Sequence, residues 1–161
     1  MLRKILFLLL ASFIIIQFFH PKTNTSDAMQ ANYLGNVYPI SGNVKSILTK
    51  ACMDCHSNNT QYPWYANFQP LDWWMSGHIK NGKKGMNLDE YTNRRLRYQY
   101  HKMEDFIEQV KKGNMPLNSY TWIHKDAILS QDEKNTLIDW ANAVMDSMKA
   151  KYPIDSLIRK K

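Results

Sequence analysis

Apolar residues follow two patterns along this chain. Residues 5–19 read ILFLLLASFIIIQFF, an almost unbroken apolar run that follows Arg3 and Lys4. Farther on, apolar positions recur three and four apart, the spacing of one helix face. Val44, Ile47, Leu48 and Ala51 form one such face, on a helix that Asn43 is placed to cap and that leads straight into Cys52. Leu137, Ala141, Val144, Met145 and Met148 form another, behind a Ser130–Glu133 capping box and ahead of Pro153. No segment alternates convincingly with period two, so the expected fold class is all-α.

Between these helices the punctuation is clear. Residues 20–42 contain Pro21, Gly35, Pro39 and Gly42 and read as a linker. YPWYANFQP reads as an irregular, well-packed loop, and Asp72 begins a short helical stretch, DWWMSGHIK, that ends at Gly82 and Gly85. Asn87 and Glu90 resemble a second capping box, and residues 88–112 are rich in helix formers until Gly113. This is expected to be the longest helix.

Length and composition narrow the picture. With 161 residues, 44% hydrophobic and 12% aromatic, the chain has the material for one packed core and does not read as disordered. The six glycines and six prolines are scattered, and no repeat of solenoid length is present. A net charge of +7 suits an anionic membrane surface, a nucleic acid or an acidic protein. The basic residues cluster at Lys80, Lys83 and Lys84, at Arg94, Arg95 and Arg97, at Lys111 and Lys112, and at Arg159, Lys160 and Lys161. No nucleic-acid motif accompanies them, so they read as solvated helix faces and a basic tail, with no nucleic acid as partner.

The apolar run at the N-terminus, preceded by two cations, has the charge layout of a membrane-targeting segment. It is short for a span, which needs roughly 20 residues, but suits the apolar region of a signal peptide. Ser26 and Ala28 offer the small residues a signal peptidase reads, yet they lie beyond the polar stretch HPKTNTS. That distance favours an uncleaved anchor. In either case Arg3 and Lys4 stay in the cytoplasm and the rest is exported.

Both cysteines of the chain fall in Cys52-Met53-Asp54-Cys55-His56, a C-x-x-C-H attachment signature for c-type haem. Thiols three positions apart can bond the vinyl groups of one porphyrin, and the adjacent imidazole can then reach the iron. Export agrees with this independently. Three rivals carry less. A thioredoxin-like pair normally sits near a βαβ pattern, and none is visible. A structural zinc site needs four ligands, and a second pair at motif spacing is missing. A plain disulfide leaves His56 unexplained.

Together with segments farther along the chain, these residues resemble the small haem-binding domain of exported bacterial proteins. The shared features are C-x-x-C-H-S, then Y-P-W-Y, then a late M-P and a terminal helix, here CMDCHSNNTQYPWYANFQP, WWMSGHIKNGKKGMN, GNMPLNSYTWIHKDAILS and QDEKNTLIDWA. The resemblance covers most of residues 44–141. It implies a cytochrome c-like helical domain wrapped around one covalent haem c, behind an N-terminal membrane-targeting helix. The corresponding division is residues 1–19 as signal-anchor or signal peptide, 20–42 as linker, 43–152 as the haem domain and 153–161 as a basic tail.

Met115, followed by Pro116 and preceding the capped terminal helix, occupies the place of the sixth iron ligand in the cytochromes this chain resembles. Met/His ligation would raise the potential and close the iron. Met75, Met86 and Met103 are weaker candidates, and His78 or His124 would give bis-histidine ligation. His101 sits in a charged helix and reads as solvated. Tyr62, Trp64, Tyr65, Trp73 and Trp74 form an aromatic group from which at least one ring is expected against the porphyrin, with Tyr62 and Trp64 the chosen candidates. The expected function is electron transfer to a redox partner protein, acidic in character, by a membrane-tethered or periplasmic monohaem cytochrome that is not an enzyme. The alternatives are a peroxidase or gas or redox sensor with an open sixth position, and a haem subunit of a larger respiratory complex.

Overall fold

The computed structural model describes residues 1–158, and Arg159, Lys160 and Lys161 of the expected basic tail lie outside them. Among the described residues the regular structure is all helical: α1 (Leu2–Ile16), α2 (Gly42–Ala51), α3 (Met53–His56), α4 (Leu71–Gly85), α5 (Leu96–Lys112), α6 (Asn118–Thr121), α7 (Gln131–Lys151) and α8 (Ile154–Leu157), joined by short 3₁₀ turns. The all-α expectation holds.

The core is built by α5 and α7, with α2 laid against α7. α7 starts where Ser130 accepts the Glu133 N–H and Glu133 reaches back to the Ser130 N–H, the expected capping box. Its stripe of Leu137, Ala141, Val144, Met145 and Met148 is buried as the spacing predicts. Pro153 follows the helix, and α8 then places Leu157 in the core. At the far end of α5, Gly113 takes the left-handed conformation (φ 70°) that caps the helix.

Two boundaries differ from the sequence reading. α2 is capped by Ser41, whose Oγ accepts the Val44 N–H at 3.3 Å, and not by Asn43. The longest helix is α7, with 21 residues, because the stretch 88–112 is broken: Leu88 and Tyr91 are drawn into the core, the Thr92 N–H donates to the Asn32 carbonyl, and Arg95 is extended. α4 ends at Gly85, one of the two glycines expected to stop it, and passes through Gly82, since a glycine inside a helix is tolerated where another element must approach closely.

α1 has 15 residues, about 22 Å of helix, and none of them is buried. No helix among the described residues is long and apolar enough to cross a membrane. The end of α1 is nevertheless tied to the domain. Gln17 exchanges hydrogen bonds with the Gln69 backbone, the Phe19 carbonyl accepts from the Gln69 amide and the Trp73 indole, and His20 Nδ1 lies 2.7 Å from Asp72 Oδ2. The segment 20–42 runs along the domain, with Leu34 and Tyr38 in the core and Asn24 bonded to Ser57, Thr60 and Tyr62.

Candidate haem site

α2 ends at Cys52, and the chain tightens there into the single turn of α3. The N–H groups of Cys55 and His56 both donate to the Cys52 carbonyl, at 3.2 and 3.0 Å. One turn thus gathers Cys52, Cys55 and His56, which is the physical content of the C-x-x-C-H spacing. Both thiols are free and half-buried.

α4 crosses this turn at very close range. A Cβ built on Gly82 would lie 2.5 Å from the Cys55 carbonyl oxygen, so only glycine lets the two backbones meet. The contact carries the end of α4 to His56, whose Nδ1 is 2.7 Å from the Met86 carbonyl. A carbonyl can only accept, so Nδ1 holds the ring proton and Nε2 is left with its lone pair. Burial lowers the His56 pKa, against the opposing pull of the Met86 and Gly82 carbonyls. The imidazole is therefore neutral and oriented, as a metal-ligating histidine needs to be.

Burial also pushes the thiols upward, Cys52 to about 12 with Cys55 as the second cause, and Cys55 to about 11 with Asp54 as the second. These are protonated thiols at neutral pH. A redox-active C-x-x-C needs the opposite, an attacking thiol with a lowered pKa. Nor is any group of three or more His, Cys, Asp or Glu among the described residues arranged to hold a metal ion.

Two cavities have both Cys52 and His56 in their walls. One, of about 320 Å³, is walled by Ala51, Met86, Leu88, Phe106, Val110 and Leu129, with Lys102, Asp105 and Gln109 on the α5 side. The other, of about 340 Å³, is walled by Asp54, Cys55, His78, Asn81, Gly82, Leu117 and Tyr120. Ala51, Cys52, His56, Gly85, Met115 and Pro116 border both. A planar apolar group bonded at the cysteines would lie along this mostly apolar space, between elements and of the size class ligand pockets have. The residues fit a haem: two protonated thiols able to add across vinyl groups, a neutral imidazole with an unprotonated Nε2, and apolar walls.

The sequence-chosen residues are placed unequally. Met115 comes to both cavities together with His56. Tyr62 borders neither, its hydroxyl accepting the Asn24 N–H at 2.7 Å. Trp64 borders neither and is 75% exposed, its ring edge against Tyr65 and Phe68. His78 borders one cavity, and its Nδ1 is bonded to the Trp74 carbonyl at 2.9 Å, which leaves Nε2 free. His124 is engaged elsewhere: its Nε2 meets the Tyr65 hydroxyl at 2.7 Å and its ring stacks on Tyr120. His101 is exposed and paired with Glu104. Met103 is wholly buried in the core, and Met75 lies in a second cluster with Tyr65, Ala66 and Ile79.

Several site residues escaped the sequence reading. Met86 reads from the sequence only as a weaker ligand candidate, whereas it acts through its backbone carbonyl, for which no side-chain signal exists. Phe106, Val110 and Leu129 read as ordinary core positions. Gly82 did carry a signal, a glycine within a helical stretch, but it reads equally well as a stop.

A family model described as a haem-binding domain matches residues 11–143. No curated protein and no solved structure matches the chain.

Proposed function

Since this chain belongs to the haem-binding domain family, we propose that it is a monohaem c-type cytochrome that carries electrons at the outer face of the cytoplasmic membrane or in the periplasm. The observation that carries the proposal is that Cys52, His56 and Met115 border the same two cavities, with Cys55 on one of them. Haem, when bound, supplies an iron that gains and loses one electron.

The chain's own residues do the rest. Cys52 and Cys55 would hold the haem covalently, each thiol adding its S–H across one vinyl group with no net oxidation or reduction. His56 would hold the iron through Nε2, while the Met86 carbonyl keeps its Nδ1. Met115 would hold the iron through its sulfur, a ligand that favours the reduced state and excludes others. Leu88, Phe106, Val110 and Leu129, which wall one cavity, would keep water from a bound haem. In this reading the protein is an electron carrier and not an enzyme. Residues 43–152 form the haem domain, an acidic protein meets the basic surface as redox partner, and α1 attaches the chain to the membrane.

The test is an optical spectrum of the full chain matured with haem. Wild type should be low-spin, should keep its haem through acid-acetone extraction, should show the ferric sulfur-to-iron charge-transfer band and should bind carbon monoxide poorly. Replacing both Cys52 and Cys55 with Ala should abolish retained haem, and Met115→Ala should remove the band and open the iron to carbon monoxide. Wild type without covalent haem overturns the proposal. An unchanged spectrum in Met115→Ala, with His78→Ala converting the iron to high-spin, gives bis-histidine ligation, the outcome favoured by the free Nε2 of His78 at the cavity wall. A wild type that binds carbon monoxide at once favours a peroxidase or gas sensor.

A further inference from the structure

Asp54 lies between the two cysteines, where its side chain is not needed for attachment, yet it is among the most heavily engaged residues of the site. Its Oδ1 accepts the Gln61 N–H at 3.0 Å, its backbone carbonyl accepts the Thr60 hydroxyl at 2.6 Å, and its Oδ2 accepts the Tyr120 hydroxyl at 2.8 Å. The first two bonds fix the carboxylate on the turn that follows the haem motif. The third reaches across 66 positions of sequence.

Tyr120 belongs to α6, five residues after Met115. Apart from the packing of Tyr120 against the core and of residues 125–127 against α2, the segment 114–126 is held by few hydrogen bonds. Among the described residues its hydrogen bonds to distant parts of the chain are the Tyr120–Asp54 bond and the Tyr65–His124 bond. The two act as one unit, because the Tyr120 and His124 rings stack at 4.4 Å and 13°. The remaining polar contacts of Asn114 and Met115 are with Gln109, one helical end away.

We propose that Asp54 is a positioning residue that latches the Met115 segment onto the haem motif through Tyr120, so that attachment of the haem and closure of its sixth position are built on the same turn. The inference rests on the ligand role proposed for Met115. A carboxylate is the fitting acceptor, since a hydrogen bond to a charged group is the stronger kind, and burial together with this bond raises the Tyr120 pKa, so the phenol stays a donor across the working pH range.

The experiment uses the full haem-loaded chain and three variants: Tyr120→Phe, which keeps the ring stack and loses only the hydroxyl, Asp54→Ala, and Asp54→Asn, which keeps an acceptor oxygen without the charge. Amide hydrogen exchange of residues 114–121 and the carbon monoxide association rate of the reduced protein are measured together. Tyr120→Phe and Asp54→Ala should each speed exchange in this segment about tenfold, the scale set by loss of one charge-assisted bond, with α7 unaffected. Carbon monoxide binding should accelerate in parallel, and Asp54→Asn should restore most of both. If exchange is unchanged in Tyr120→Phe and Asp54→Ala, the latch is overturned. If exchange rises but binding of carbon monoxide to a closed wild type does not change, the latch holds a loop that does not govern the iron, and the positioning role is overturned. Should wild type itself bind carbon monoxide freely, the ligand role of Met115 fails, and the exchange data alone decide whether the latch exists.

Discussion

Gly82→Ala and Gly77→Ala form a matched pair within α4, and their contrast tests the packing that orients His56. Both changes gain the same helix propensity, up to about 1 kcal/mol. At Gly77 a new Cβ meets nothing within 4 Å. At Gly82 it would stand 2.5 Å from the Cys55 carbonyl oxygen and 3.0 Å from the Cys55 Cβ. Comfortable contact lies near 3.5 Å, so α4 would have to move about 1 Å from the haem motif. The neighbour is backbone and cannot rotate aside, and overpacking of this kind costs about 1–3 kcal/mol. Urea unfolding of the haem-free chain should therefore show Gly77→Ala more stable than wild type by up to about 1 kcal/mol, and Gly82→Ala less stable by up to about 2 kcal/mol. The difference between the variants isolates the packing cost. Because Met86 lies one turn beyond Gly82, the same displacement should weaken its hold on His56 and reduce haem incorporation in Gly82→Ala alone. A Gly82→Ala protein at or above wild-type stability would refute the close approach of α4 to Cys55, and with it this account of how His56 is oriented.

Two further outcomes are expected. Burial lowers the His56 pKa below the ordinary histidine value of 6.5, so below that pH the unfolded chain binds a proton that the folded one refuses. The His56 contribution to the stability of the haem-free chain should accordingly be level above pH 6.5 and fall as the pH drops from there to the folded pKa, and His56→Leu should remove this part of the slope. Denaturation midpoints measured across the range check the sign, and a stability that rises on acidification in wild type but not in His56→Leu refutes it. Fractionation tests attachment by α1: the full-length chain should sediment with membranes, with residues beyond 19 open to an externally added protease, whereas a soluble product beginning near Met29 would make the apolar run a cleaved signal.

Sequence by itself determined what is local in this protein. The C-x-x-C-H spacing is short enough for one turn of backbone to place both sulfurs and the imidazole together, so the motif needs no distant partner to be read. The Ser130–Glu133 box, the α7 stripe and the left-handed Gly113 are likewise settled within a few residues of themselves, and each stands as its pattern predicts. Tertiary structure decided what depends on elements meeting. The stretch 88–112 has the composition of one helix, but burial of Leu88 and Tyr91 outweighs local propensity and breaks it. Gly82 looks like a helix stop until Cys55 is seen against it. The carbonyl of Met86 has no side-chain signature, and the bond from Tyr120 to Asp54 joins residues whose separation hides it from any local pattern. Trp64, chosen for its aromatic face, is left largely in solvent, because only the packing of its neighbours determines which way a ring in an irregular loop turns.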